Sequence, residues 1–112
     1  MEDAISRKPS EVSDDFKAHL AEVYNYTIDT FGFVQAERYI QKIEKAIDTL
    51  PMNYTVYPEC RHIVTKNRIY RNIILDAHLI IYRIARERIE VLDIVHGASS
   101  IRKIRKTRTI RI

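Results

Sequence analysis

Cysteine is almost missing from this chain of 112 residues. Cys60 stands alone, so no intramolecular disulfide can form and no Cys-x-x-Cys pair offers a thiolate zinc site. Nothing points to an oxidising compartment, and a cytoplasmic location is expected. Long apolar runs are missing too: no window approaches the roughly 18 apolar residues of a membrane span. The opening MEDAISRKPSEVSDD has no apolar core for a signal peptide. Acidic residues become scarce along the chain. Residues 1–60 hold 11 Asp/Glu against 6 Lys/Arg, but residues 61–112 hold 4 against 13, so the halves carry −5 and +9. A basic half of that strength concentrates polyanions or an acidic partner near it.

With 46% apolar and 30% charged residues, residues 1–112 fit one globular domain that buries roughly two thirds of its unfolded surface. From Ser13 onward Phe16, Leu20, Val23, Tyr24, Thr27, Ile28 and Phe31 recur at helical spacing. Ser13 suits the N-cap, Asp14 and Asp15 the positive first turn, and Gly32 a left-handed C-cap. A second stripe runs through Ala36, Tyr39, Ile40, Ile43, Ile47 and Leu50, and Pro51 is expected to end it. The short link makes an antiparallel helical hairpin. Residues 51–67 read as a loop with room for a short helical turn.

The period then changes. Runs 68–75, 78–85 and 88–96 are rich in Ile, Val, Leu and Tyr and are joined by Asp76-Ala77 and Arg86-Glu87, which predicts a three-stranded antiparallel meander. Neither link contains the glycine that the tightest hairpins favour. On the middle strand Ile80, Tyr82 and Ile84 face one way; Leu79, Ile81, Arg83 and Ala85 face the other. If the helices cover the first set, the second is a candidate binding surface formed by Leu79, Ile81 and Arg83. His19, His62 and His78 show no metal-ligand spacing, and neither metal nor cofactor is implied.

The order helix, helix, loop, meander, with YRN leading the first strand, IIYRIARERIEVLDIVHG across the next two and His-Gly at the end, resembles the RelE/ParE superfamily of bacterial toxins over about residues 11–104. The resemblance implies an α+β fold with the N-terminal helical hairpin packed on a C-terminal antiparallel three- to four-stranded sheet, and a cognate antitoxin protein contacting Leu79, Ile81 and Arg83. The family commonly opens with a short strand; here residues 1–10 are polar and contain Pro9, so either an irregular edge strand forms around Ile5 or none does.

Two activities occur in the superfamily. RelE-like members cut messenger RNA on the ribosome; ParE-like members poison DNA gyrase. Metal-free RNA cleavage needs a base, an acid and cations for the developing phosphorane charge. Arg83 matches the strand arginine that RNA-cleaving members place at the scissile phosphate, and His96 is a residue type able to transfer protons near neutral pH. Yet no tyrosine follows Tyr82, and GASSIRKI stands where an arginine-rich turn and a tyrosine belong. The ParE-like reading is therefore favoured: a non-enzymatic toxin whose target, DNA gyrase, is contacted by Arg71, Arg83, Arg102, Lys103, Arg105, Lys106 and Arg108. The alternatives are a ribosome-dependent mRNA endonuclease using Arg83 and His96, and a non-toxic nucleic-acid-binding or interaction module. Six cations among residues 102–112 make a basic C-terminal tail. Ile101 and Ile104 are expected to pack its first turn, and the cations beyond it are expected to be solvated and dispensable for stability.

Overall fold

The computed structural model describes residues 7–112. Strand β1 (Ser10–Val12) leads into helices α1 (Asp14–Phe31) and α2 (Phe33–Asn53); β2 (Tyr70–Ile74), β3 (His78–Ile84) and β4 (Ile89–His96) follow, then α3 (Ile101–Lys106) and a 3₁₀ turn (Thr107–Thr109). The sheet order is β1-β4-β3-β2, with β1 parallel to β4 and the other pairs antiparallel. This is the expected α+β architecture with four strands, except that the parallel β1 makes the sheet mixed rather than wholly antiparallel. The described edge strand lies beyond Pro9; the expectation of a strand around Ile5 falls outside the described residues. Pro9 needs no N–H there, because its carbonyl accepts from Ile89 N–H.

Ser13 joins local and long-range structure. Its hydroxyl accepts from Phe16 N–H as the N-cap of α1 and donates to the Leu92 carbonyl, while its own N–H donates to Val91 O. The side chain that starts the helix therefore also fastens it to β4. Gly32 alone links α1 to α2. Its φ of 91° is positive as expected, but its ψ of 170° lies outside the left-handed helical region, in backbone space that only glycine enters cheaply. Pro51 does not end α2, which continues to Asn53. Its last turn is held by burial of Leu50 and Tyr54 in the core, outweighing one lost backbone hydrogen bond.

The two hairpin links close as read. Leu75 N–H bonds His78 O across Asp76-Ala77, and Ala85 N–H bonds Arg88 O across Arg86-Glu87. No residue of either link has positive φ, so these are not the mirror-image turns glycine serves. Residues 54–69 contain no helix. Part of this segment runs along β2, where Cys60 N–H bonds Tyr70 O and Asn72 N–H bonds Pro58 O.

The hairpin covers one face of the sheet. Phe16, Ile43 and Leu50 pack there on Ile73, Ile80, Tyr82, Ile89, Val91 and Ile94. On the other face Cys60, Ile63 and Ile104 pack on Ile81 and Val95. Strand β4 serves both cores through a bulge: Ile81 pairs with Asp93 but Tyr82 with Val91, leaving Leu92 unpaired and reversing the alternation beyond it. Seven consecutive residues of β4, Ile89 to Val95, are buried as a result.

Replacing Ser13 with Ala removes the cap and leaves the buried Leu92 carbonyl short of a donor. Each effect costs about 1 kcal/mol. The expected outcome is a loss of about 2 kcal/mol, read as a lower urea midpoint with unchanged m-value.

Candidate macromolecular interface

The face opposite the hairpin is closed by the chain's own C-terminal segment. Ser100 caps α3 by accepting from Lys103 N–H. Ile104 and Thr107, one helical turn apart, are buried against the sheet side, and the Thr107 hydroxyl donates to Ile104 O. Consequently Ile81 is fully buried and Leu79 half-buried. The open surface expected from Leu79, Ile81 and Arg83 does not exist in this structure, because the basic tail was a covering element rather than a solvated end. Residues beyond Ile104 take part in this cover, Thr107 by burial and Arg108 and Ile110 through their carbonyls, so removing them is expected to cost stability.

Arg83 holds this cover down. Its Nε donates to Glu90 Oε1 at 2.7 Å, while Nη1 and Nη2 donate to the carbonyls of Arg108 (3.3 Å) and Ile110 (3.2 Å). The guanidinium also lies 5.7 Å from the Tyr70 ring centre and bonds its hydroxyl. Glu90 is bracketed by a second cation, since Arg88 binds its other oxygen at 2.9 Å. Burial pushes the Glu90 carboxyl up, but the hydrogen bonds from Arg83 and Arg88 outweigh it and hold it below the usual carboxylate value.

The expected cationic residues divide into two groups. Arg71 faces the hairpin side, where Nη1 donates to the carbonyls of Thr55 and Tyr57. It therefore braces the loop and does not join the C-terminal cations. Arg102, Lys103, Arg105, Lys106 and Arg108 are all exposed on α3 and the turn after it, with Arg105 Nε tied to His62 O. Helical geometry turns Ile104 and Thr107 inward and their cationic neighbours outward.

Arg83 and His96 are not brought together. His78, not Arg83, pairs with His96, so the two lie five residues apart along the hairpin, roughly 16 Å at strand spacing. They also occupy opposite faces. His96 accepts from Ala98 N–H at Nδ1 and meets the His78 ring edge-on at 5.6 Å. His78 in turn contacts Tyr39 through Nδ1 at 2.7 Å. Among the described residues no group of three or more potential ligands is placed to hold a metal, and no helix is long and apolar enough to cross a membrane.

Sequence reasoning missed one pair altogether. His19 Nδ1 on α1 meets Asp93 Oδ1 on β4 at 2.6 Å, beyond the part of the β4 edge that β1 covers. Asp93 is buried and also accepts from Ile94 N–H. No periodicity links positions so distant in sequence. The only available signal was a second carboxylate, after Glu90, inside a mostly apolar strand.

Residues 11–101 match the family described as the ParE toxin of type II toxin-antitoxin systems, parDE. The chain belongs to this ParE toxin family. Toxin ParE1 of Mycobacterium tuberculosis strain CDC 1551 / Oshkosh is 32% identical over 81 residues, which is 71% of this chain and 80% of that protein. Toxin ParE1 of strain H37Rv gives the same figures. A chain from the solved structure of the chromosomal ParDE TA system from P. aeruginosa superposes with a TM-score of 0.66 at 15% identity, covering 81% of this chain and 97% of that one. At that identity the likeness is one of fold. The ParE family match stops at Ile101, the first residue of α3, so the exposed cations of α3 and of the turn after it lie beyond the match.

His19 and His78 are shifted in opposite directions. The hydrogen bond to Asp93 raises His19 above 6.5, outweighing its burial; burial and then the neighbouring His96 lower His78. The His19 contribution to stability is thus complete below pH 6.5 and lost as pH rises through its folded value. For His78, stability is complete above 6.5 and lost as pH falls toward its folded value, since the unfolded chain takes the proton first. NMR titration is expected to show a His19 midpoint above 6.5 and a His78 midpoint below it, with Asp93→Asn moving only the former downward.

Proposed function

We propose that this ParE-family toxin acts by binding and poisoning DNA gyrase through the exposed cations of its C-terminal segment, in the cytoplasm, and that a cognate antitoxin neutralises it. The observation that carries the reading is the commitment of Arg83. Four of its five N–H donors bond Glu90, the Tyr70 hydroxyl and the Arg108 and Ile110 carbonyls, so the strand arginine that an RNA-cleaving site would need is engaged in structure. His96 lies at the other end of the hairpin, which leaves that chemistry without an assembled acid, base and cation. Binding by a rigid basic surface requires none of them.

The charge distribution supports an acidic antitoxin. The +9 half contains α3, and the exposed apolar side chains Tyr26, Phe31, Phe33 and Val34 cluster around the tip of the helical hairpin. A partner that folds on binding would gain from covering such side chains while complementing the basic segment.

Among the described residues the side chains of Arg102, Lys103 and Lys106 make no hydrogen bond or ion pair, so their replacement by Gln tests the surface without dismantling it. In a gyrase supercoiling assay the triple variant is expected to inhibit at least about 10-fold more weakly, with unchanged circular dichroism, since each lost favourable charge contact at an interface costs on the order of 0.5–1 kcal/mol. Ribosome-dependent messenger RNA cleavage that disappears in Arg83→Ala, with gyrase unaffected by the native protein, would contradict the proposal.

A further inference from the structure

The His19–Asp93 pair borders a cleft that shares two lysines with the proposed gyrase surface but whose histidine no role yet described uses. The cleft has a volume of about 280 Å³ and lies between α1, β4 and the C-terminal segment; Asp15, His19, Asp93, Lys103 and Lys106 supply its charged lining. A purely structural reading accounts for part of this: His19 tied to Asp93 fastens α1 to β4. It accounts for Nδ1 alone. Asp93 fixes the ring so that Nδ1 faces the carboxylate, which leaves Nε2 as the outward nitrogen of a half-exposed histidine. Two lysines from a different element line the same cleft, and among the described residues neither ammonium has a carboxylate within 4.0 Å.

We propose that this cleft is a phosphate-binding site, in which the outward Nε2–H of protonated His19 and the ammonium groups of Lys103 and Lys106 hold the oxygens of one phosphate group. The donor set is suited to an anion that accepts several charge-assisted hydrogen bonds at once. Its charge balance depends on one proton. With His19 neutral, two lysines face Asp15 and Asp93 and the lining is neutral; with His19 protonated it carries one net positive charge. Glu22, one turn farther along α1, faces the neighbouring groove with His78 and His96, and with Asp15 helps hold the proton on His19. Phosphate affinity should therefore rise as pH falls through the His19 titration. The site does not depend on gyrase being the target, and the phosphate has two sources: the backbone of a nucleic-acid strand or a small phosphorylated molecule.

The test is NMR of the full chain, labelled at the histidine rings and backbone, titrated with inorganic phosphate at pH 6 and, separately, with a 12-nucleotide single-stranded DNA at pH 6 and pH 8. The diester strand does not titrate across that range, so its pH dependence reports on His19. Saturable shifts centred on the His19 ring and on residues 103–106 are expected. Binding should weaken at least about 10-fold in Lys103→Gln/Lys106→Gln and hardly at all in Lys45→Gln/Lys66→Gln, which removes equal charge from exposed sites elsewhere. Strand binding at least about 10-fold tighter than phosphate, and weaker at pH 8, assigns the site to a nucleic-acid backbone. Saturable phosphate binding with no preference for the strand assigns it to small phosphates. Non-saturating shifts, or equal losses in both double variants, would overturn the proposal whatever the outcome with gyrase.

Discussion

One guanidinium ties three parts of this fold together. Arg83 projects from β3, neutralises Glu90 on β4, stacks beside Tyr70 on β2 and donates to two carbonyls of the C-terminal segment. An ion pair this sheltered, with 17% and 10% of the side chains exposed, is costly to leave half-made. Its remaining donors find acceptors in the segment after α3, so completing the arginine's hydrogen bonds and closing the sheet face become the same event. Ile104 then covers Ile81 and Val95, and the cations beside it are presented from an ordered helix instead of a loose end.

Function follows from where those donors go. A strand arginine meeting solvent could serve a scissile phosphate; this one meets main-chain carbonyls. The basic character of the molecule is thereby moved outward to Arg102, Lys103 and Lys106, beyond the last residue shared with the ParE family match. The ordered segment also brings Lys103 and Lys106 beside His19, a residue of the acidic half of the sequence.

Sequence patterns carried the fold as far as local rules reach. Ser13 announced its cap because the acceptor and the helix it starts are three residues apart, and the β3 faces followed from strict alternation. Pro51 misled for the opposite reason: burial of Leu50 and Tyr54 is a tertiary effect that a local rule does not weigh. The bulge at Leu92 depends on the register of a partner strand, so the reversal of β4's alternation has no signature in IEVLDIVH. The tail was misjudged although a clue was present, since Ile104 and Thr107 share a helical face. As for the site, the cations of α3 were legible as composition, but the engagement of Arg83, the separation of His96 and the His19–Asp93 contact are all products of pairing between distant segments.

The anchoring role of Arg83 is tested most directly by native-state hydrogen exchange on the full chain and its Arg83→Gln variant, in which Arg88 still neutralises Glu90. The Ile104 and Ile110 amides, bonded to Ser100 O and Thr107 O, report on the C-terminal segment; Ile94 and Val95 report on the sheet. If Arg83 holds the cover down, the variant loses protection at Ile104 and Ile110 by at least about 10-fold, the equivalent of about 1.4 kcal/mol, while β4 keeps most of its own. Unchanged protection of Ile104 and Ile110 in a folded Arg83→Gln protein would contradict the account.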